Sequence, residues 1–536
     1  MDLSRAPRLF LWALATAVLT IYTAGVYFFS SESISASIIV HTLGLGLASW
    51  LFAFALSLPL ALALASTHFS RLSFVILVIA SSIPLYLQVA AWDSLFGKLG
   101  WLTSLVDQPL KQMPGRWLAA IWVHGMAAFP QVTFLLLVGL RSGAGHYEDQ
   151  GHLEAGPWIV FWKVTLYRIR PFIFATLLWV LLICSREIAV TDIYQIGTLA
   201  EHIYLGYAMG QSDQMFAIWP NQSTSLGLEV PILTIAWLVV GCASAMNWWN
   251  QTEIELNHDS RMKRSRFLLQ GIAVSLLILA FGIPISSLMI RGAMSVQMVN
   301  EEAIQVFQYS TLQMAISDVV QTFRPEFFWS TTIAGVSTAV IIFLSLASLA
   351  MSYRIRFLKI LFWVSVALTF CLPGPIIGTM IATISAEVKT PILTWLFDRT
   401  IFGPVVATSL FVWPIGAVLI WLVVGRNQQS IWEQAAVDGA NGFRQFWSMC
   451  VASNARSIGG MSLLIFVFSF GELSASQLIV PAGMDTVPRL TLGFLHSGVD
   501  EKTAALCFLT LVWIGILASI ASLLIVPAPK NKRTRF

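Results

Sequence analysis

Charge is scarce in this 536-residue chain. Asp, Glu, Lys and Arg make up 11% of it, against about a quarter in a soluble domain. With 57% hydrophobic residues, that scarcity excludes a solvated globular domain. Cysteine is rarer still. Cys184, Cys242, Cys371, Cys450 and Cys507 show no Cys-x-x-Cys spacing, and none falls in an outer loop as read below, so neither a disulfide framework nor a thiolate zinc site follows. The eight histidines never pair at i, i+3 or i+4, the spacing a helical metal site needs. No acid–His–nucleophile cluster is visible. A membrane-embedded enzyme therefore lacks its residues, and no catalytic group, metal or cofactor is expected. No G-x-x-x-x-G-K-[ST] loop occurs, which removes ATP binding by the phosphate-loop route. The apolar runs lack two-residue alternation, which excludes a membrane barrel.

What is present is a set of twelve apolar stretches, near 9–29, 41–65, 72–92, 117–140, 172–192, 229–249, 267–290, 328–351, 357–384, 403–424, 457–480 and 504–526. Each is close to the roughly 17–25 residues that cross a bilayer as a helix. The first follows Arg5 and Arg8, as a signal peptide would, but its apolar core is longer than the 7–15 residues of a signal sequence. With the N-terminus inside, twenty-one of the 31 basic residues fall in inner segments and nine in outer ones, leaving Arg186 within a span. The excess of inner positive charge puts both termini in the cytoplasm. It also accounts for the basic residues without nucleic acid. The expected fold is an all-α polytopic membrane protein in a cell (inner) membrane, with the lipid bilayer as its solvent.

The spans divide six and six. The polar, basic linker 250–266 separates a first half (1–249) from a second (267–536). At an offset of 285, Arg141 meets Arg426, Glu148 meets Glu433, Ala155 meets Ala440, Phe161-Trp162 meets Phe446-Trp447, and Glu187 meets Glu472. Both halves start inside and hold an even number of spans, so they form a parallel repeat, a common plan for transporters, with the pathway between the halves as the default solute site.

Polar residues head the second span of each half, His41-Thr42-Leu43 and Ser330-Thr331-Thr332, and prolines interrupt the third, Pro84 and Pro373 with Pro375. A proline in a span bends or breaks it, which serves either a hinge beside a cavity or an ordinary kink. Charges inside spans are costly and tend to face a cavity or partner. Arg186, Glu187 and Glu472 are therefore the pathway candidates, with Arg186 reaching an acid such as Glu472 across the interface. Snorkelling to the headgroups is the plain alternative. Two polar inner loops, 141–171 and 426–456, stand between the fourth and fifth spans of each half. In the second, a helix-forming run from Glu433 ends at Gly439, which suits a helix C-terminus and turn.

This Glu433-x-Ala-Ala-x-x-Gly439 pattern resembles the E-A-A-x-x-x-G coupling motif of permease subunits of ATP-binding-cassette importers. The segment 470–487, F-G-E-L-S-A-S-Q-L-I-V-P-A-G-M-D-T-V, is similar to that of ferric-iron-type permeases, and 158–171 resembles their F-x-x-V-x-L-P-x-x-R-P run. The resemblance covers both halves and implies a fused two-half permease for ferric iron, thiamine or another small solute. It implies coupling residues Glu148, Glu154, Ala155, Gly156, Glu433, Ala435, Ala436 and Gly439, with a pathway near Arg186, Glu187, Glu472, Pro84 and Pro373. It also implies a pair of cytoplasmic ATP-binding subunits, expected as a homodimer, and an extracytoplasmic solute-binding protein. The chain departs from the pattern. Asp149, Gln150 and Glu154 replace the two alanines and glycine of the first loop, Tyr167 replaces a proline, and Val451-Ala452 replaces Leu-Pro. An ion-gradient-driven transporter is the rival of the same class, although the loop S-T-H-F-S-R-L-S lacks the glycine- and arginine-rich signature of the major-facilitator plan.

Overall fold

The structure is a computed structural model that describes residues 36–66, 71–97, 99–102, 115–141, 155–209, 266–299, 302–354, 356–387, 390–424, 439 and 442–525. The expected spans 9–29 and 229–249 and nearly all of the linker 250–266 lie outside the described residues.

The chain is overwhelmingly helical. Among the described residues, eight helices are long and apolar enough to cross a membrane, or ten if each of two sharply bent pairs counts as one span. In the first half these are α1 (Ala36–Ser66), the pair α2 (Arg71–Ser81) and α3 (Leu85–Phe96), α4 (Gly115–Arg141) and α5 (Leu166–Arg186). Two short helices follow α5, α6 (Ala189–Tyr194) and α7 (Leu199–Ala208). The second half opens with α8 (Arg266–Leu277) and α9 (Ile283–Gly292), joined through a π-helical turn. An antiparallel hairpin comes next, β1 (Met294–Val299) on β2 (Glu302–Phe307), pairing Met294 with Phe307 and Val299 with Glu302. After it come α10 (Tyr309–Thr322), α11 (Arg324–Arg354), the pair α12 (Arg356–Cys371) and α13 (Gly374–Glu387), α14 (Pro391–Arg399), α15 (Phe402–Val424), α16 (Ala455–Phe470), α17 (Val487–Ser497) and α18 (Glu501–Ile525).

Three features differ from the sequence reading. The stretches 72–92 and 357–384 are each two helices, meeting at 94° and 99°. Each break falls at a proline, Pro84 or Pro373, which has no N–H to continue the ladder and biases its predecessor away from helical backbone. Second, the fifth and eleventh spans end earlier than the apolar run does, at Arg186 and Phe470 rather than 192 and 480. Their glutamates therefore stand at helix ends and not part-way along a span. Third, the stretch between the seventh and eighth spans, for which the sequence reading gave no structure, carries the hairpin and the amphipathic α10.

Matching elements pack alike in the two halves. Helix α1 lies against α4 and α5 as α11 lies against α15 and α16, and α4 contacts α5 as α15 contacts α16. The halves also interlock. Helix α8 packs on α1, α9 on α3, and α18 on both α2 and α3. The largest core cluster draws on both, with Leu87, Ala91 and Phe129 from the first half and Leu288, Phe470 and Leu506 from the second. Small residues permit the close approaches, as side-chain packing rather than water drives helix association in lipid. Gly125 sits on the ring of Phe52 and Gly416 on Ile341, with no room for a Cβ at either.

Candidate functional site

Two right-angle breaks and the two helix ends that meet them organise the site. Each break leaves carbonyls of the preceding helix without intrahelical partners, because the chain turns away before the next N–H groups can reach them. At the second break, Arg186 of the first half supplies a donor and also reaches a carbonyl inside α15. Its Nε donates to Leu372 O at 3.3 Å, and its Nη2 donates to Phe411 O at 2.9 Å. The guanidinium lies 4.1 Å from the Phe411 ring centroid and 4.9 Å from that of Phe370. It is 5% exposed. A planar, always-charged fork suits such a place better than an ammonium, since it combines directed donors with stacking. Trp179, two turns earlier on α5, stacks on Phe370 and extends the contact between halves.

At the first break the geometry is different. The residue 285 positions after Arg186 is Gly471, and it packs directly on Pro84, so that a Cβ at 471 would overlap the proline ring. One break is thus held by a guanidinium from the opposite half and the other by a glycine from the opposite half. Arg186 does cross the interface, as the charge pattern predicts, but its partners are two carbonyl oxygens and not Glu472.

The recurring glutamates act as caps. The backbone leaves helical geometry at Glu187 (φ −115°, ψ 143°). Its carboxylate accepts from the N–H of Ala189 at 2.8 Å and of Val190 at 3.4 Å, satisfying the first turn of α6 as side-chain oxygens do at helix N-termini. Glu472 accepts from Ala475 N–H at 2.6 Å and from Thr408 Oγ1 at 3.2 Å. Ser476 adds both its N–H and its hydroxyl. Glu472 is 6% exposed, and Glu187 is partly buried.

Beyond each cap the chain returns to the head of the second span. Leu199 N–H donates to Thr42 Oγ1 at 3.0 Å, and Val487 N–H donates to Ser330 Oγ at 2.8 Å. All four residues are buried. The polar heads of these spans therefore anchor the start of α7 and α17. Across the halves, α7 contacts α13 while α17 contacts α3. Gln477 Nε2 donates to Tyr204 OH at 2.8 Å, and His496 Nε2 lies 3.3 Å from Asp192 Oδ2. Glu201 is buried in the first turn of α7. Desolvation, with Asp192 adding to it, raises its carboxyl to about 7.

No protein-family model, curated protein or solved structure matches the chain.

Of the residues expected to couple to an ATPase, Glu148, Glu154, Glu433, Ala435 and Ala436 lie outside the described residues. Gly156 O accepts the N–H groups of Ile159 and Val160, with Pro157 at the first helical position, where its missing N–H costs nothing. Ala155 precedes it and is half-buried. Gly439 has φ +76°, the left-handed conformation the glycine ending a helix run calls for. The structure also shows a feature the sequence reading missed. A π-helical turn lies late in each loop at matching places, Phe161–Thr165 and Phe446–Val451. Such turns are rare and concentrate at functional positions. The coincidence of Phe161-Trp162 with Phe446-Trp447 was the only trace of them in the residues. Both tryptophans are more than half exposed.

Proposed function

We propose that the chain is the membrane-spanning permease of an ATP-binding-cassette importer in a cell inner membrane, its two halves lining one solute pathway. The reading rests above all on the interlocked breaks. Each half sends the end of its fifth span, at Arg186 or Gly471, against the broken third span of the other. A relative movement of the halves therefore acts on both breaks at once. The cytoplasmic loops 141–171 and 426–456 receive the closing motion of an ATPase pair, and the π turns carry it into α5 and α16. The pathway beside Glu187 and Glu472 then opens to an extracytoplasmic binding protein, which chooses the solute. Ferric iron is the proposed cargo on the resemblance of 470–487, with thiamine or another small solute as the alternative.

Replacing Glu433 with Ala together with Gly439→Val tests the assignment. The doubly substituted chain is expected to insert in the membrane and to lose its co-purifying ATPase and ATP-dependent uptake. Retention of both would show that the loop is not a coupling site. Uptake that persists without ATP and collapses with the proton gradient would favour a secondary transporter instead. Metal analysis and mass spectrometry of the isolated binding protein identify the cargo.

A further inference from the structure

A small cavity opens beside Glu472, lined by Ser330, Thr408, Ser469, Ser476 and Thr486 together with Ile333, Phe470 and Pro488. Its polar lining is all oxygen: one carboxylate and five hydroxyls. We infer that it is a binding site for a single dehydrated alkali cation of sodium or potassium size, built in the second half only. The inference rests on the second half's own geometry and does not depend on coupling to an ATPase.

Charge balance is the first argument. Glu472 is buried, and the groups that hydrogen-bond it are neutral: the N–H of Ala475 and the groups of Ser476 and Thr408. Arg186, the guanidinium nearest to hand across the interface, directs its donors to Leu372 and Phe411. Arg186 and Glu472 interact through space as charges but form no ion pair in contact, so no cationic side chain among the described residues touches the carboxylate. A buried carboxylate with no cation in contact is expensive unless a cation or a proton accompanies it.

The second argument is an idle ligand. Ser469 is 4% exposed, lines the cavity, and its Oγ has no hydrogen-bond partner. Buried hydroxyls are normally satisfied, so one left over in an oxygen-lined cavity marks a missing occupant. The space holds one water-sized particle, the scale at which a polar cavity is filled. Carboxylate and hydroxyl oxygens are hard donors that suit alkali and alkaline-earth cations over transition metals. With one carboxylate in the set, a monovalent ion leaves the site neutral.

The first half provides the contrast. At the repeat's offset of 285, Thr191 stands where the second half has Ser476 and Cys184 where it has Ser469, and Thr42 accepts from Leu199 N–H as Ser330 does from Val487 N–H. A thiol is a poor ligand for an alkali cation. The repeat thus keeps the carboxylate in both halves and the full oxygen set in one.

Radiolabelled sodium binding to the purified full-length chain, with choline chloride balancing ionic strength, tests this. One saturable sodium per chain is expected, displaced by unlabelled sodium or potassium and not by choline. Ser469→Ala should weaken it about ten-fold or more, Glu472→Gln should abolish it, and Cys184→Ala should leave it unchanged. If Glu472→Gln fails to fold, the milder Ser469→Ala decides. Absence of saturable binding in the unsubstituted chain overturns the inference, as does unchanged affinity in Ser469→Ala. Thermal protection that follows pH and ignores sodium would assign the cavity to a proton and overturn it equally.

Discussion

Gly471 lies so close to Pro84 that the glycine's hydrogen occupies the only space a side chain would need. The contact joins the end of α16 to the break between α2 and α3, two elements from different halves. Gly471→Ala should therefore force the ring or the break to shift, at a cost of about 1–3 kcal/mol, as overpacking usually does. Gly515→Ala in α18 is the control, because a Cβ there meets nothing and alanine is the better helix former by roughly 0.5–1 kcal/mol. Thermal unfolding in detergent should move down for the first substitution and level or up for the second.

Arg186→Met keeps the apolar bulk that lies on Phe370 and Phe411 and removes the two donors. Leu372 O, at the break, loses this donor, and a carbonyl left unpaired in a buried site costs on the order of 1–3 kcal/mol, so a clear fall in melting temperature is expected. Arg186→Lys should recover only part of it, since one ammonium cannot repeat the fork. Full recovery by lysine would mean that charge alone matters at this break.

Thr42→Val and Ser330→Ala each remove the acceptor of a buried N–H, that of Leu199 or Val487. Each should destabilise by about 1–3 kcal/mol and speed amide exchange at the start of α7 or α17 alone. Exchange that rises uniformly over the chain would show that these hydroxyls do not anchor those helices.

Glu201 gives a pH dependence with a definite sign. Its folded carboxyl titrates near 7, raised by burial, whereas an unfolded glutamate titrates near 4.3. Between those values the folded chain keeps a proton that the unfolded chain has released, so stability falls as pH rises through this window. Glu201→Gln should flatten the dependence and raise the melting temperature above pH 7 relative to the unsubstituted chain. An unaltered pH profile would show that Glu201 does not titrate differently on folding.

The sequence showed a good deal of this. Apolar length located the described spans, because burial of backbone in lipid leaves helices as the open-ended solution. Pro84 and Pro373 marked both breaks, since a missing N–H is written in the residue itself. The bend angles were not legible, as they depend on what packs into the corner. Glu187 and Glu472 stood out through their recurrence, but hydropathy alone extended their helices too far. The stop comes from side-chain capping, which a window average cannot register. The partners of Thr42 and Ser330 lie 157 residues further on, a separation that only the folded chain closes. The hairpin's first strand alternates, with Met294, Val296 and Met298 opposite Phe307, Gln305 and Ala303, but the second strand does not, so its pattern is lost beside the longer apolar signals.

The arginines at helix ends carry a consequence for how this chain is oriented. Arg141 donates to Leu64 O, Arg168 to Leu140 O and Arg456 to Leu523 O, each in the last turn of a long helix, where free carbonyls collect. The same cations that the sequence reading counts as inner charge also hold the ends of α1, α4 and α18. A charge-reversal scan meant to invert the chain would loosen three helix ends together, so failed inversion and failed termination would look alike unless each is read with its own probe.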